Sequence, residues 1–266
     1  MAMVSLNGHQ TWVRRPKGHG PLVTLLHGGM SDSSSMLRRF EKRLGKEFTL
    51  AAFDRRGHGR TPDRPGAFHY EEMAEETIAF LEYLGRPSHL IGHSDGGVVA
   101  LLTAMRRPDL VRRAVLVGAN FHHDGLVSTP EFPLEGPEFD AWSRDYAEVS
   151  PEGIGHAREV VGKALTLFAS EPTLTVSDLA AVAVPVLVMS GDDDVVSLAH
   201  TCAMYESIPD AQLAVLPASS HAVLKEHPGL ANRIISRFLR ADLPVATLAP
   251  IRRGTRSVEG GAKPDL

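Results

Sequence analysis

The sequence predicts an α/β protein with a mostly parallel central sheet flanked by helices. Short apolar, β-branched runs that are typical of buried parallel strands recur at 22–27, 48–53, 88–93, 112–118 and 184–191. Helix-like segments separate the first of these runs, at 33–44, 71–84 and 94–107. Strands that alternate with helices favour parallel pairing with right-handed crossovers, which brings the carboxyl ends of the strands to one edge of the sheet.

The two ends of the chain differ from this pattern. Residues 3–14 predict a β-hairpin that turns at Asn7-Gly8, a dipeptide favoured in tight two-residue turns. Residues 243–266 contain few large apolar side chains, so we expect a flexible tail.

The most informative motif is the pentapeptide Gly92-His93-Ser94-Asp95-Gly96. It follows the apolar pair Leu90-Ile91 and precedes a helix-like run, so it predicts a strand, a sharp turn and a helix. A serine on such a turn projects its hydroxyl from the backbone, and the flanking glycines remove Cβ atoms that would clash. Ser94 is therefore the candidate nucleophile.

An acid and a base follow in chain order, each after a predicted strand. Asp192, Asp193 and Asp194 come after strand 184–191, and His221 comes after a further run at 211–217 and before a helix-like segment that extends to Arg240. A serine hydroxyl needs an imidazole to accept its proton, and the imidazole needs a carboxylate to fix its tautomer.

A glycine-rich turn, His27-Gly28-Gly29, follows the first buried strand. Backbone N–H groups in such a turn can stabilise a developing oxyanion, with the N–H of the residue after the nucleophile as the second donor. Gly29 and Asp95 are thus the predicted oxyanion hole. Gly28, His93 and the side chain of Asp95 are predicted to contact substrate, while His27 is expected to brace the turn.

Together with the segment Phe53–Thr61, these motifs resemble the α/β-hydrolases over roughly residues 20–240. The resemblance implies the α/β-hydrolase fold and a serine mechanism, since relatives with other chemistry carry aspartate in place of Ser94. The family spacing Gly-x-x-Asp, counted from Gly191, selects Asp194 as the acid, with Asp192 as the alternative. Some members place the acid after the preceding strand, where this chain has Asn120.

Residues 121–183 interrupt the alternation of strands and helices, and they resemble the cap that many of these enzymes insert over the active site. The hydrolase core would then comprise 1–120 and 184–242. Between Asp124 and Ala180 there are eleven acidic and three basic residues, a balance of 3 − 11 = −8. This excess forms either a solvated acidic surface or a portal that disfavours anionic substrates.

The elbow is also locally similar to that of valacyclovir hydrolase-like esterases. In those enzymes the aspartate after the serine contacts the amino group of an aminoacyl ester, although His93 stands where tryptophan is usual. Asp95 has a second interpretation, because an acidic side chain at the first position of a helix is stabilised by the helix dipole.

Composition limits the remaining function classes. The chain has 266 residues, a net charge of −4 and one cysteine, Cys202. These values predict no nucleic-acid partner and no disulfide within the chain. The sequence shows no apolar run long enough to span a membrane and no signal peptide, so we expect a cytoplasmic protein. We also expect neither a cofactor nor a metal. The sequence leaves the oligomeric state open.

Three hypotheses follow. The first is hydrolysis of a small carboxylic ester, lactone or related acyl compound through Ser94, His221 and Asp194. The second is carbon–carbon bond hydrolysis or cofactor-free perhydrolysis on the same residues. The third is a non-enzymatic ligand receptor, which an intact triad disfavours.

Overall fold

The computed structural model describes residues 2–128 and 131–240, together with Thr247. Eight strands are present in this part of the chain: β1 (Ala2–Leu6), β2 (His9–Lys17), β3 (Leu22–Leu26), β4 (Thr49–Phe53), β5 (Ser88–His93), β6 (Val111–Val117), β7 (Val186–Asp193) and β8 (Ala211–Ser220). They form one sheet in the order β1-β2-β4-β3-β5-β6-β7-β8. Only the pairs β1·β2 and β2·β4 are antiparallel, which confirms the mostly parallel sheet.

Helices cover both faces of the sheet. They are α1 (Ser33–Phe40), α2 (Tyr70–Leu84), α3 (Asp95–Arg106), α4 (Pro137–Ala147), α5 (Ala157–Ser170), α6 (Val176–Leu179), α7 (Leu198–Ser207), α8 (Val223–Glu226) and α9 (Pro228–Arg240). Buried side chains of α2 and α3 belong to one apolar cluster, and those of α1 and α9 belong to another. Each cluster includes side chains of the strands, so the sheet lies between two apolar layers.

The N-terminal hairpin forms where the sequence predicts it. Asn7 and Gly8 link β1 to β2 with φ angles of 49° and 77°. Positive φ at both central residues is the geometry of a type I′ turn, which explains the Asn-Gly pair.

Three elements differ from their predicted bounds. Helix α1 ends at Phe40, and a short 3₁₀ turn at Leu44–Lys46 follows it. Strand β8 continues through Pro217 to Ser220, because an edge strand tolerates a proline whose missing N–H would face away from its partner. The last helix is divided into α8 and α9 at Pro228, which lacks the N–H that a continuous helix would require.

Residues 121–183 lie between β6 and β7 and contribute α4, α5 and α6. The indole Nε1–H of Trp142 donates to the Met30 carbonyl at 2.8 Å, so α4 contacts the turn after β3. The boundaries of this insertion as a cap stay a prediction. The predicted tail at 243–266 lies outside the described residues except for Thr247. Among the helices that the structure describes, none combines the length and apolar character needed to cross a membrane.

Candidate active site

The strand–turn–helix prediction for the elbow agrees with the local structure. Ser94 connects β5 to α3 and has a φ of 54°. A Cβ on Gly92 would lie 1.9 Å from the Gly96 carbonyl oxygen, and one on Gly96 would lie 2.2 Å from that of Leu26. The motif therefore needs glycine at both positions, because the turn passes too close to the backbone for any side chain.

The structure brings Ser94, His221 and Asp194 into one chain of hydrogen bonds. His221 Nε2 lies 2.9 Å from Ser94 Oγ, and His221 Nδ1 lies 2.7 Å from Asp194 Oδ1. A carboxylate only accepts, so Nδ1 carries the proton and Nε2 is free to accept one from the serine. These side chains come from the ends of β5, β7 and β8, at one edge of the sheet.

Of the three consecutive aspartates at 192–194, Asp194 is the one that bonds to His221 in the described part of the chain. Burial acts to raise its pKa, but the hydrogen bond and charge of His221 and the Val196 N–H together hold that pKa below its usual value. Asp194 Oδ2 is buried without a hydrogen-bond partner in the described part of the chain. Asp192 instead accepts the Ser219 N–H at 3.0 Å and braces β8.

The predicted oxyanion turn lies against the nucleophile. A Cβ on Gly28 would be 3.3 Å from Ser94 Cβ, and one on Gly29 would be 2.5 Å from Asp95 Oδ2. The backbone after Gly29 then reverses through Met30, which has a φ of 52°. Only a residue without a side chain fits at Gly29, because Asp95 and Phe168 occupy the space that a Cβ would need.

A cavity of about 260 Å³ opens beside Ser94. Its walls combine apolar side chains with two carboxylates, Asp95 and Glu171. The lining residues are Gly29, Met30, Tyr70, Ser94, Asp95, Gly118, Asn120, Leu126, Ser128, Phe168, Glu171, Val195, Val196 and His221. This lining contains no lysine or arginine. It also lacks Gly28 and His93, two of the residues that the sequence predicts to contact substrate.

His93 instead lies behind His221. Its Nε2 donates to the His221 carbonyl oxygen at 2.8 Å, and the two rings are 5.0 Å apart. Burial lowers the pKa of His93 to about 4, with a smaller contribution from His221. The ring is therefore neutral near pH 7 and holds the backbone of His221.

Asp95 lines the cavity although its side chain is almost completely buried. Its Oδ1 accepts a hydrogen bond from the Tyr70 hydroxyl at 2.9 Å. Burial raises the pKa of Asp95, and the charge of Arg55 and the Tyr70 hydrogen bond partly oppose that rise. Among the described side chains, Tyr70 alone donates to this carboxylate, and it does so at Oδ1.

Glu171 is the second carboxylate, and it follows α5 in the inserted segment. Its Oε1 lies 2.7 Å from His69 Nδ1, and its Oε2 accepts the Tyr70 N–H at 3.0 Å. Sequence reasoning missed Tyr70 and Glu171, since neither belongs to a motif. Their roles depend on a contact between residues about a hundred positions apart.

Two groups of described side chains have a spacing that could hold a metal ion. One is His122, His123 and Asp124, and the other is Asp63, His156 and Glu159. In the second group Lys163 Nζ lies 2.6 Å from Asp63 and 2.8 Å from Glu159, so an ammonium already neutralises these carboxylates. Neither group includes a residue of the hydrogen-bonded chain at Ser94.

Known proteins resemble the chain over most of its length. A mouse protein named serine hydrolase BPHL is 26% identical over 263 residues, which cover 90% of this chain and 86% of that protein. A 2-(acetamidomethylene)succinate hydrolase from Mesorhizobium japonicum is 26% identical over 85% of this chain and 91% of its own. The crystal structure of an enol-lactonase from Burkholderia xenovorans LB400 superposes with a TM-score of 0.72 at 22% identity, covering 90% of this chain and all of that one.

The family comparison agrees with the fold and the motifs. Residues 25–233 match the model of the alpha/beta hydrolase family, a range that runs from β3 into α9 and contains Ser94, Asp194 and His221. The chain therefore belongs to the alpha/beta hydrolase family and is a hydrolase.

Proposed function

We propose that the protein hydrolyses small carboxylic esters, lactones or related acyl compounds through an acyl-enzyme on Ser94. The observation that carries this proposal is the unbroken chain of hydrogen bonds from Ser94 through His221 to Asp194 at the wall of the cavity. Membership of a family of hydrolases argues against the third hypothesis, a non-enzymatic receptor.

Each step uses a group in that chain. His221 Nε2 takes the Ser94 proton as Oγ attacks the acyl carbon, and Asp194 stabilises the imidazolium that forms. The N–H groups of Gly29 and Asp95 hold the oxyanion. His221 then donates the proton to the leaving oxygen. It next removes a proton from the water that attacks the acyl-enzyme and returns that proton to Ser94 Oγ as the bond to the acyl carbon breaks, so that the carboxylic acid leaves and the serine is restored.

The charges of the cavity favour a substrate whose acyl part carries a cation. Asp95 and Glu171 are the ionisable carboxylates of the lining, and no lysine or arginine accompanies them there. Asp95 follows the nucleophile directly and borders the cavity, and its Oδ1 already accepts from the Tyr70 hydroxyl, so we assign Oδ2 to the substrate donor. An ammonium bonded to it would gain about 1.5–3 kcal/mol as a charge-assisted hydrogen bond. The relative named for a succinate substrate acts on a dianion, which this lining would repel.

A panel of p-nitrophenyl esters, with and without a fluorophosphonate, tests the proposal. We expect hydrolysis that the fluorophosphonate abolishes, with one phosphonate per chain attached to Ser94. Ser94→Ala should fold normally, resist labelling and lose about 10⁶-fold in kcat. Hydrolysis that survives in Ser94→Ala after removal of contaminating esterases would exclude the serine mechanism. Turnover of carbon–carbon substrates with none of esters would favour the second hypothesis.

A further inference from the structure

Arg55 is the largest fully buried side chain of the described structure and does not line the cavity. It follows β4 and lies beneath the oxyanion turn. Its guanidinium donates from Nη1 to the His27 carbonyl oxygen at 2.5 Å and from Nη2 to the Gly28 carbonyl oxygen at 3.2 Å. Two successive carbonyls of the turn are therefore held by one planar cation, which fixes direction better than a single donor does.

His27 strengthens the same arrangement. Its Nε2 accepts the backbone N–H of Arg55 at 3.2 Å, so the ring proton is on Nδ1, which donates to the Gly28 carbonyl oxygen at 2.7 Å. Burial, and then the charge of Arg55, lower the pKa of His27 well below its ordinary value. The ring therefore stays neutral in this one tautomer, and the Gly28 oxygen receives two hydrogen bonds from the protein interior.

The direction of one carbonyl determines the direction of the next amide. In a planar trans peptide the C=O and the following N–H point to opposite sides. A Gly28 oxygen held toward Arg55 and His27 consequently directs the Gly29 N–H away from them. Gly29 borders the cavity together with Ser94. If this peptide flipped, the Gly28 carbonyl oxygen and not the Gly29 N–H would face the oxyanion. Glycine on both sides of the peptide offers little steric resistance to such a flip.

We propose that Arg55 is a positioning residue that holds the Gly28–Gly29 peptide with its N–H toward the reacting acyl oxygen. This inference rests on the proposed serine mechanism, because only that mechanism forms an oxyanion at this place. Stability alone gives a poor reason for Arg55, since burying a guanidinium is costly and its Nε has no partner in the described structure. The charges of Asp95 and Glu76 act on Arg55 from nearby and offset part of that cost.

The test compares Arg55→Lys and Arg55→Met on a neutral p-nitrophenyl ester, so that the charge of Asp95 plays no part in binding. We expect Arg55→Met to lower kcat about 100-fold, the loss typical of one oxyanion donor, while KM stays within about threefold. It should also weaken the binding of a phenylboronic acid, which forms a tetrahedral adduct. Arg55→Lys keeps the positive charge but lacks the planar pair of donors that reaches both carbonyls. Its kcat should therefore lie between those of Arg55→Met and wild type. Full activity in Arg55→Met would overturn the inference.

Amide hydrogen exchange over residues 27–31 gives a readout that does not need turnover. We expect faster exchange in Arg55→Met than in wild type, and an unchanged rate would contradict the inference. If wild type showed no Ser94-dependent hydrolysis, the proposed function would fail, whereas this measurement would still decide whether Arg55 holds the turn. Should Arg55→Met not fold, His27→Leu removes one of the two bonds to Gly28, and His27→Asn restores a donor near Nδ1. His89→Gln is the matched control, because that buried histidine lies on β5 with its ring against Phe48.

Discussion

The two walls of the cavity are built differently. The wall that carries Ser94, His221 and Gly29 consists of loops at strand ends, and its contacts are backbone turns and short hydrogen bonds within the core. The second wall, with Phe168 and Glu171, belongs to the inserted segment. That segment contributes buried side chains such as Tyr146, Val160 and Leu167 to the apolar cluster of α2 and α3. It is also joined to the core by charged groups, of which Asp63 is the most connected.

Asp63 shows how the second wall is attached. Its side chain is 2% exposed and pairs with Arg56 of the core at 3.1 Å and with His156 and Lys163 of the inserted segment at 2.9 and 2.6 Å. Its backbone N–H donates to Glu152. The comparison therefore predicts that changes in the first wall act on kcat, whereas changes in the second act on substrate affinity and on how firmly the segment is held.

The largest effect short of removing the nucleophile is expected at Asp194. Asp194→Asn should lower kcat by about 10⁴-fold, because an amide favours the wrong tautomer of His221. Asp192→Asn is the matched control, since its carboxylate braces β8 and does not touch the imidazole. Steady-state kinetics on one ester compare the two, and losses of similar size would reject Asp194 as the acid.

Asp95 is a critical case for the comparison of the two walls, because it lies beside Ser94 in the first wall but is expected to determine the affinity for substrate. With a matched pair of esters, one with an ammonium on the acyl part and one neutral, Asp95→Asn should lower kcat/KM for the cationic ester by roughly 10- to 150-fold. The neutral ester should change little, since the backbone N–H remains. Equal losses on both esters, or no preference in wild type, would leave Asp95 as a residue that only stabilises the start of α3.

The same pair of esters gives a pH dependence. The pKa of Asp95 is raised by burial, so its charge is present above that pKa and is lost as the pH falls through it. The ratio of kcat/KM for the cationic ester to that for the neutral ester should then fall by about tenfold or more toward low pH. An effect of pH on the steps that the two esters share cancels in the ratio. A flat ratio in wild type, like the one expected for Asp95→Asn, would contradict the assignment.

The smallest effect is expected in the second wall. Lys163→Met removes one of the three side chains that bond to the Asp63 carboxylate and should raise KM by about two- to fivefold, with kcat nearly unchanged. Added salt should reduce the difference from wild type, because screening weakens the same interaction. Lys42→Met, at an exposed lysine distant from Asp63 in sequence, is the control. If kcat fell by the same factor as KM rose, the second wall would not act on substrate affinity alone.

The features that could be predicted from the sequence belong mostly to the first wall and to other local turns. The elbow around Ser94 and the Asn7-Gly8 turn are local, since a few adjacent residues determine the backbone there. The positions of Ser94, Asp194 and His221 after three parallel strands could also be predicted, because parallel strands bring their carboxyl ends to one edge of the sheet.

The residues that the sequence analysis missed act over long distances. Nothing in the pair Arg55-Arg56 indicates that the first guanidinium turns inward to the carbonyls at 27–28 while the second binds Asp63. Tyr70 begins an ordinary amphipathic helix, and its contact with Asp95 appears only when α2 packs beside α3. His93 was predicted to contact substrate, but the structure directs its ring to the His221 carbonyl.

The distribution of the reacting groups along the chain has a consequence for folding. Ser94 and His221 are 127 positions apart, and between them Asp194 directly follows β7, a strand separated from β5 by β6. Their hydrogen bonds can form only after β7 and β8 have joined the sheet, which is a late and entropically costly event for contacts so far apart in sequence. Recovered activity after denaturation would therefore report the docking of the last two strands, while circular dichroism would report the earlier formation of the helices.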